Sequence, residues 1–152
     1  MSDSTAPPFR RAVIALNGGP SDERIVALVA ETARNIKAEL VAIHVVEIDW
    51  TLPLDADIAG RSEEVQRVLD AAEAVAEDHK MTLEPVLLQA RDVGAAIVDE
   101  TIERDADLLV VGLPYRKRFG GEFAMGRTIP YILQNAPCSV WVVRDPIAEE
   151  TS

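Results

Sequence analysis

Two hydrophobic patterns alternate along the chain. Five short stretches are apolar at nearly every position: Arg10 to Leu16, Leu40 to Val46, Leu83 to Gln89, Asp107 to Val111 and Cys138 to Val143. Runs of this kind, too short for helices, read as strands buried on both faces. Between them, apolar residues recur at helical spacing. Ile25, Leu28, Val29, Ala33 and Ile36 form one stripe, and Val65, Val68, Leu69, Ala72, Val75 and Ala76 form another within Arg61 to Lys80. A third helix is predicted over Val93 to Arg104 with Asp92 as N-cap, and a short fourth over Ile129 to Leu133. The β-α-β-α-β-α-β-α-β alternation predicts a single doubly wound α/β domain: a five-stranded parallel sheet with helices on both faces. Pro85 falls inside the third strand, where it removes a ladder donor, so that strand is expected at a sheet edge.

The connections carry turn chemistry. Asn17-Gly18-Gly19-Pro20 follows the first strand, and Pro20 or Ser21 starts a helix with Asp22 and Glu23 in its first turn. Glu47 to Gly60 is a long irregular connection with Trp50 as its large aromatic. Trp50 is expected to tuck against the sheet edge or a neighbouring helix; the competing reading is a lid over a ligand. Residues 1–9 read as a flexible tail, 10–145 as the domain and 146–152 as an acidic tail.

Composition narrows the function. At 152 residues with 48% hydrophobic positions, the chain can build a core without staples. A net charge of −11 argues against general nucleic-acid binding, which needs a basic surface. No apolar run approaches the ~20 residues of a membrane span. The start MSDSTAPP lacks the basic and apolar regions of a secretory signal, and one cysteine, Cys138, suits a reducing compartment. The expectation is a cytoplasmic protein.

Catalytic constellations are nearly absent. His44 lies in an apolar strand and His79 at a helix end. The first is expected to hold a hydrogen-bond partner and the second to be solvated. Neither shares metal-ligand spacing with Cys138, which is expected to be packed rather than reactive. Arg116-Lys117-Arg118 and Arg127 put four cations in one loop of an acidic protein. They either meet a phosphate or solvate an exposed loop, and the residues alone leave both readings open.

Several segments together resemble the universal stress protein family. The matching pieces are Ala12 to Gly18, Glu39 to Val46, Gly94-Ala95-Ala96-Ile97 with Asp105-Ala106-Asp107, Val110-Val111-Gly112, Gly126, and Ala136 to Arg144, APCSVWVVR. The resemblance, with right-handed crossovers and the Pro85 edge, implies strand order 3-2-1-4-5. The crevice outside the ends of strands one and four, where chain direction across the sheet reverses, is then the expected binding site. In the family a loop of pattern G-x2-G-x9-G-[ST] wraps a nucleotide. By that resemblance Ala15, Asn17, Leu40, Val41, Val111, Gly112, Gly126, Arg127 and Thr128 are the candidate binding residues, with Leu40 or Val41 flanking the adenine. The ligand implied is ATP or a related adenine nucleotide, with Mg²⁺ entering only with it. This chain departs from the pattern. Tyr115 stands at the second glycine position, Arg127 at the hydroxyl position, and the Gly112–Gly126 spacing is one residue longer. Asn17 replaces a usual Asp, Ala15 a usual Pro, and Pro130 lacks an N–H in the fourth helix. Binding is therefore expected to be weak and without turnover.

The resemblance also implies a homodimer through the last strand, Cys138 to Val143, whose edge carries neither Lys nor Pro to block pairing. A second function follows from the same departures: a module for dimerisation or partner docking that uses no nucleotide. ATP hydrolysis is disfavoured, because Asn17 and the lack of a positioned base leave nothing to activate water. No catalytic or metal residue is assigned, and the regulatory partner is not identified by sequence.

Overall fold

The computed structural model describes residues 6–48, 50, 51, 53, 62–113 and 126–146. The tails 1–5 and 147–152 and the loop 114–125, with Tyr115 and Arg116-Lys117-Arg118, lie outside the described residues, as does most of 52–61.

The elements run β1 (Arg11–Leu16), α1 (Asp22–Ile36), β2 (Glu39–Glu47), α2 (Ser62–Asp78), β3 (Leu83–Ala90), α3 (Val93–Glu103), β4 (Leu108–Gly112), α4 (Thr128–Asn135) and β5 (Ser139–Val143). All four strand pairings are parallel, in the order β3-β2-β1-β4-β5. Pro85 stands on the edge strand β3, opposite Ala42. On that strand its missing N–H costs the least.

Strand alternation divides the core into two layers. Ala12, Ile14 and Leu16 face α1 and α2 with Leu40, Leu108 and Val110. Val13 and Ala15 face α3 and α4 with Val41, Ile43, Leu109 and Val111. The centre of β4 is buried on both sides, as its unbroken apolar run requires. Asp92 caps α3 through a 3.1 Å bond from the Ala95 amide.

Three expectations change. Phe9 belongs to the core, not to a flexible tail: it is 1% exposed and meets Trp141 edge-to-face, ring centroids 5.6 Å apart. Trp50 does not tuck in; it is 77% exposed, with the Arg91 guanidinium 5.0 Å from its ring centroid. Ile48, 1% exposed, already fills the inner position there with Val46 and Val65. His79 is paired rather than merely solvated, its Nδ1 lying 2.7 Å from Glu31 Oε2. That contact holds the Glu31 carboxyl below its usual range.

Asp107 joins the entrance of β4 to that of β1. Its carboxylate accepts two bonds from the Arg10 amide, at 3.0 and 2.9 Å, and one from the Arg11 amide at 2.9 Å. Burial pushes the carboxyl up, but the backbone donors together outweigh it and hold the pKa below 3.8. A depressed carboxylate pKa gives stability that is fully present above the unfolded value and lost as pH falls through the folded one. Asp107→Asn is expected to cost about 1 kcal/mol at pH 7, discounted for solvent exposure. In urea melts the gap from the parent should narrow as pH falls below 3.8. A gap that persists unchanged at pH 2 would show that charge is not the cause.

Candidate functional site

The site is built at the carboxyl ends of β1 and β4, on either side of the reversal in chain direction. Ala15 stands opposite Val111 in the ladder. Both belong to the layer that also holds Val45, Leu113 and Ile129. Ile129, in the first turn of α4, is buried in that same layer. Gly126 adopts φ +72°, a left-handed conformation that glycine takes without strain. Arg127 occupies the N-cap of α4 and is exposed, and its side chain makes no capping hydrogen bond. Pro130 supplies no N–H, so the donors that this first turn can offer are those of Thr128 and Ile129.

Gly112 ends β4, within the strand rather than after it. A Cβ there would lie 2.7 Å from Ile25 Cδ1 and 3.8 Å from Asn17 Nδ2. Any larger residue there would have to push the Ile25 terminal methyl aside, so glycine suits the packing against α1. Asn17 uses its side-chain oxygen at home, accepting from the Gly19 amide at 2.7 Å. Its Nδ2 faces the Gly112 side.

The turn after β1 is locked by a residue that sequence reasoning placed only as a helix-dipole partner. Asp22 is 9% exposed and accepts from the Asn17 amide at 3.1 Å and the Gly18 amide at 2.9 Å. Burial raises its pKa, and these two bonds only partly oppose that. The signal was available: the amides of an Asn-Gly-Gly turn need acceptors, and Asp22 is the first carboxylate after it. His44 borders the same turn, with Nδ1 3.2 Å from the Leu16 carbonyl oxygen. A carbonyl only accepts, so Nδ1 carries the proton.

Leu40 and Val41 are not part of this arrangement. Register places them opposite Ala12 and Val13, at the amino ends of the strands, whereas Leu16 meets His44. At about 3.3 Å per residue they sit ~13–17 Å below Val45. They line a different hollow of about 680 Å³, with Arg11, Glu39, Glu84 and Arg104. Its two arginines are already engaged, Arg11 with Glu39 and Arg104 with Glu84 and Glu100. A smaller cleft of about 430 Å³ does open at the carboxyl ends of β1 and β2, lined by Asn17, Gly18, His44, Val45, Glu47 and Glu64 among others. The β2 residue that reaches the site is thus Val45.

Cys138 is half-buried and packed in the α3/α4 layer; burial pushes its thiol up, away from the reactive thiolate. Among the described residues no group of three His, Cys, Asp or Glu side chains is arranged to hold a metal. No helix among them is long and apolar enough to cross a membrane.

Comparison with known proteins agrees with this architecture. A stretch of 142 residues, 93% of the chain, is 30% identical to the sensor protein KdpD of Mycobacterium tuberculosis. It spans 15% of that relative's length. Among solved structures, a universal stress protein in complex with cAMP superposes with TM-score 0.68 at 20% identity, over 90% of this chain and 97% of the other. The universal stress protein of Archaeoglobus fulgidus in complex with dAMP gives TM-score 0.69 at 19% identity, over 88% and 97%. The model of the universal stress protein family matches residues 8–144, and the chain belongs to that family.

Proposed function

We propose that the chain is a regulatory module that binds an adenine nucleotide, weakly and without turnover, in the crevice between β1 and β4. The observation that carries this reading is the α4 entrance. A glycine at φ +72° leads into a helix whose N-cap side chain makes no capping bond and whose first-turn Ile129 is buried in one layer with Ala15 and Val111. Such a terminus favours an anion. Two similar folds were solved with cAMP and dAMP, which supports an adenine nucleotide as the ligand. Arg127 and Thr128 would meet the phosphate, Asn17 Nδ2 the ribose or base edge, and Val45 the flank of the adenine. Ala15 and Val111 would form the floor and Gly112 the close backbone approach. Val45 takes the place of Leu40 and Val41 in this reading, because the register puts those two at the amino ends of the strands. Mg²⁺ would arrive only on the phosphates of ATP.

The missing second loop glycine, the hydroxyl displaced by Arg127 and the absent Pro130 N–H each forfeit a neutral contact of roughly 0.5–1.5 kcal/mol. Together they place affinity ~10–1,000-fold below a complete site. The similarity to part of a sensor protein supports a regulatory role; in this reading the module acts in the cytoplasm on a partner protein. Calorimetric titration with AMP, cAMP and ATP, the last with and without Mg²⁺, tests the reading. Saturable heat at micromolar to millimolar nucleotide, with no phosphate released over hours, is the expected result. No heat at millimolar ligand rejects it.

A second reading, a homodimerising or partner-docking module, is favoured by the free edge of β5, where Val142 is 38% exposed. The two are compatible: the same chain can pair through β5 and bind a nucleotide at the opposite side of β4.

A further inference from the structure

The turn after β1 carries a reactive pair of residues. Asn17-Gly18 is the chain's one Asn-Gly pair; Asn35 and Asn135 precede Ile36 and Ala136. Before glycine, no Cβ keeps the next backbone nitrogen away from the asparagine side-chain carbonyl carbon, so the two can close a succinimide ring. The surroundings of this pair favour that closure. The Gly18 N–H points at Asp22 Oδ2, 2.9 Å away, on a carboxylate that is only 9% exposed and whose proton affinity burial raises. Asp22 Oδ1 takes the Asn17 amide at 3.1 Å and fixes the carboxylate in place. The Asn17 side chain folds over its own turn: Oδ1 accepts from the Gly19 amide at 2.7 Å, and Nδ2 faces Gly112. Asn17 and Gly18 are both exposed, so water reaches them.

We propose that Asn17 deamidates itself in the folded protein, turning one wall of the crevice from a hydrogen-bond donor into a carboxylate. Asp22 takes the Gly18 N–H proton as general base, and the nitrogen forms a bond to Asn17 Cγ. Negative charge gathers on Oδ1, where the Gly19 N–H already donates, an oxyanion contact in place before reaction. Collapse breaks the Cγ–Nδ2 bond; Nδ2 recovers the proton from Asp22 and leaves as ammonia. Water then opens the succinimide at either carbonyl, giving aspartate or isoaspartate at position 17 with no change of oxidation state. In the aspartate the Gly19 amide keeps its acceptor, and the oxygen that replaces Nδ2 faces Gly112. A neutral donor there becomes a charged acceptor, which suits the paired hydroxyls of a ribose. That last step rests on the nucleotide reading above; the deamidation does not.

Peptide mass mapping of the full chain, incubated at neutral pH, follows the amide-to-acid exchange at each asparagine. The exchange should collect at Asn17, spare Asn35 and Asn135, and run faster in the native protein than in the same chain unfolded in guanidinium. Asp22→Asn should slow it by at least ~10-fold. Should that variant not fold, the pH profile of the parent decides. With Asp22 serving as the base, the native rate should change less than about threefold between pH 6 and 8, whereas the unfolded chain, dependent on hydroxide, should gain roughly 100-fold. A native rate below the unfolded one, or a hydroxide-like slope in the native protein, overturns the proposal. So does an Asp22→Asn variant that deamidates as fast as the parent or faster, which would make Asp22 a restraint on the turn. Calorimetry with Asn17→Asp reads the consequence. AMP should bind it roughly three- to tenfold tighter than freshly purified parent, and the gain should shrink for dAMP, which lacks one ribose hydroxyl. Equal affinity for AMP overturns the change in binding and leaves the chemistry standing. If neither protein binds a nucleotide, the nucleotide reading fails while the mass mapping still decides the deamidation.

Discussion

Gly126→Val should weaken AMP binding by on the order of 10–100-fold while leaving the melting temperature nearly unchanged. The cause is conformational, not steric. Gly126 sits at φ +72°, and no described residue lies within 4 Å of the place a Cβ would take. A β-branched residue in the left-handed region costs about 1–2 kcal/mol or more, so valine will drive the backbone into another basin. That rotation re-aims Arg127 and Thr128, the next two residues, and the anion loses its donors. Because position 126 is exposed and outside α4, the fold pays little. Two companions separate the causes. Gly126→Asn, whose side chain tolerates the left-handed region, should retain most of the affinity. Arg127→Ala should cost roughly three- to tenfold, the worth of one solvent-exposed charge-assisted contact. Calorimetry reads all three. Unaltered binding by Gly126→Val would put the nucleotide somewhere other than this crevice.

If the chain pairs through β5 as proposed, Val142→Pro should turn the dimer into a monomer, raising its dissociation constant by at least ~100-fold. The ladder explains why this residue is the one to change. The Leu113 amide donates to the Val143 carbonyl at 2.8 Å, so Val143 points its backbone groups toward β4. Backbone direction alternates along a strand, so Trp141 does the same, while Val140 and Val142 point theirs to the open edge. Proline at 142 therefore deletes an outward donor and leaves the β4–β5 ladder intact; edge strands tolerate that exchange. Two-fold pairing would use the Val142 edge twice, so each protomer's loss counts against one interface. Val142→Thr keeps the N–H and the β-branch and should remain dimeric. Sedimentation at micromolar concentration measures the outcome. A parent protein that is monomeric there removes the β5 dimer from consideration.

The candidate site was only partly legible in the sequence, and the division has a physical basis. Gly112, Gly126 and the α4 start were visible because glycine, helix stripe and chain break are local signals. Their meaning was less visible: Gly112 packs against Ile25, a residue 87 positions earlier in the chain numbering, which no local pattern announces. The β2 flank was misplaced to Leu40 and Val41 because apolar strand residues look alike from sequence. Only the register Leu16↔His44 tells which of them reach the carboxyl end. Trp50 was expected inside for its apolar bulk, yet Ile48 had taken the inner place and left the indole to Arg91.

What the amino-acid order determined by itself was the set of elements, the parallel doubly wound class and the edge position of β3. These follow from apolar periodicity and from a proline that cannot donate, both properties of contiguous residues. Strand order also needed the family resemblance. Tertiary structure alone decided that Phe9 belongs to the core, that Asp107 ties β4 to β1, and that Asp22 and Asp145 converge on one helix terminus. The last two are 123 positions apart in numbering, and their carboxylates meet α1 only because β5 ends beside it. Long-range polar contacts of this kind have no periodicity to read, since each depends on where two distant backbones are brought by the packing of everything between them.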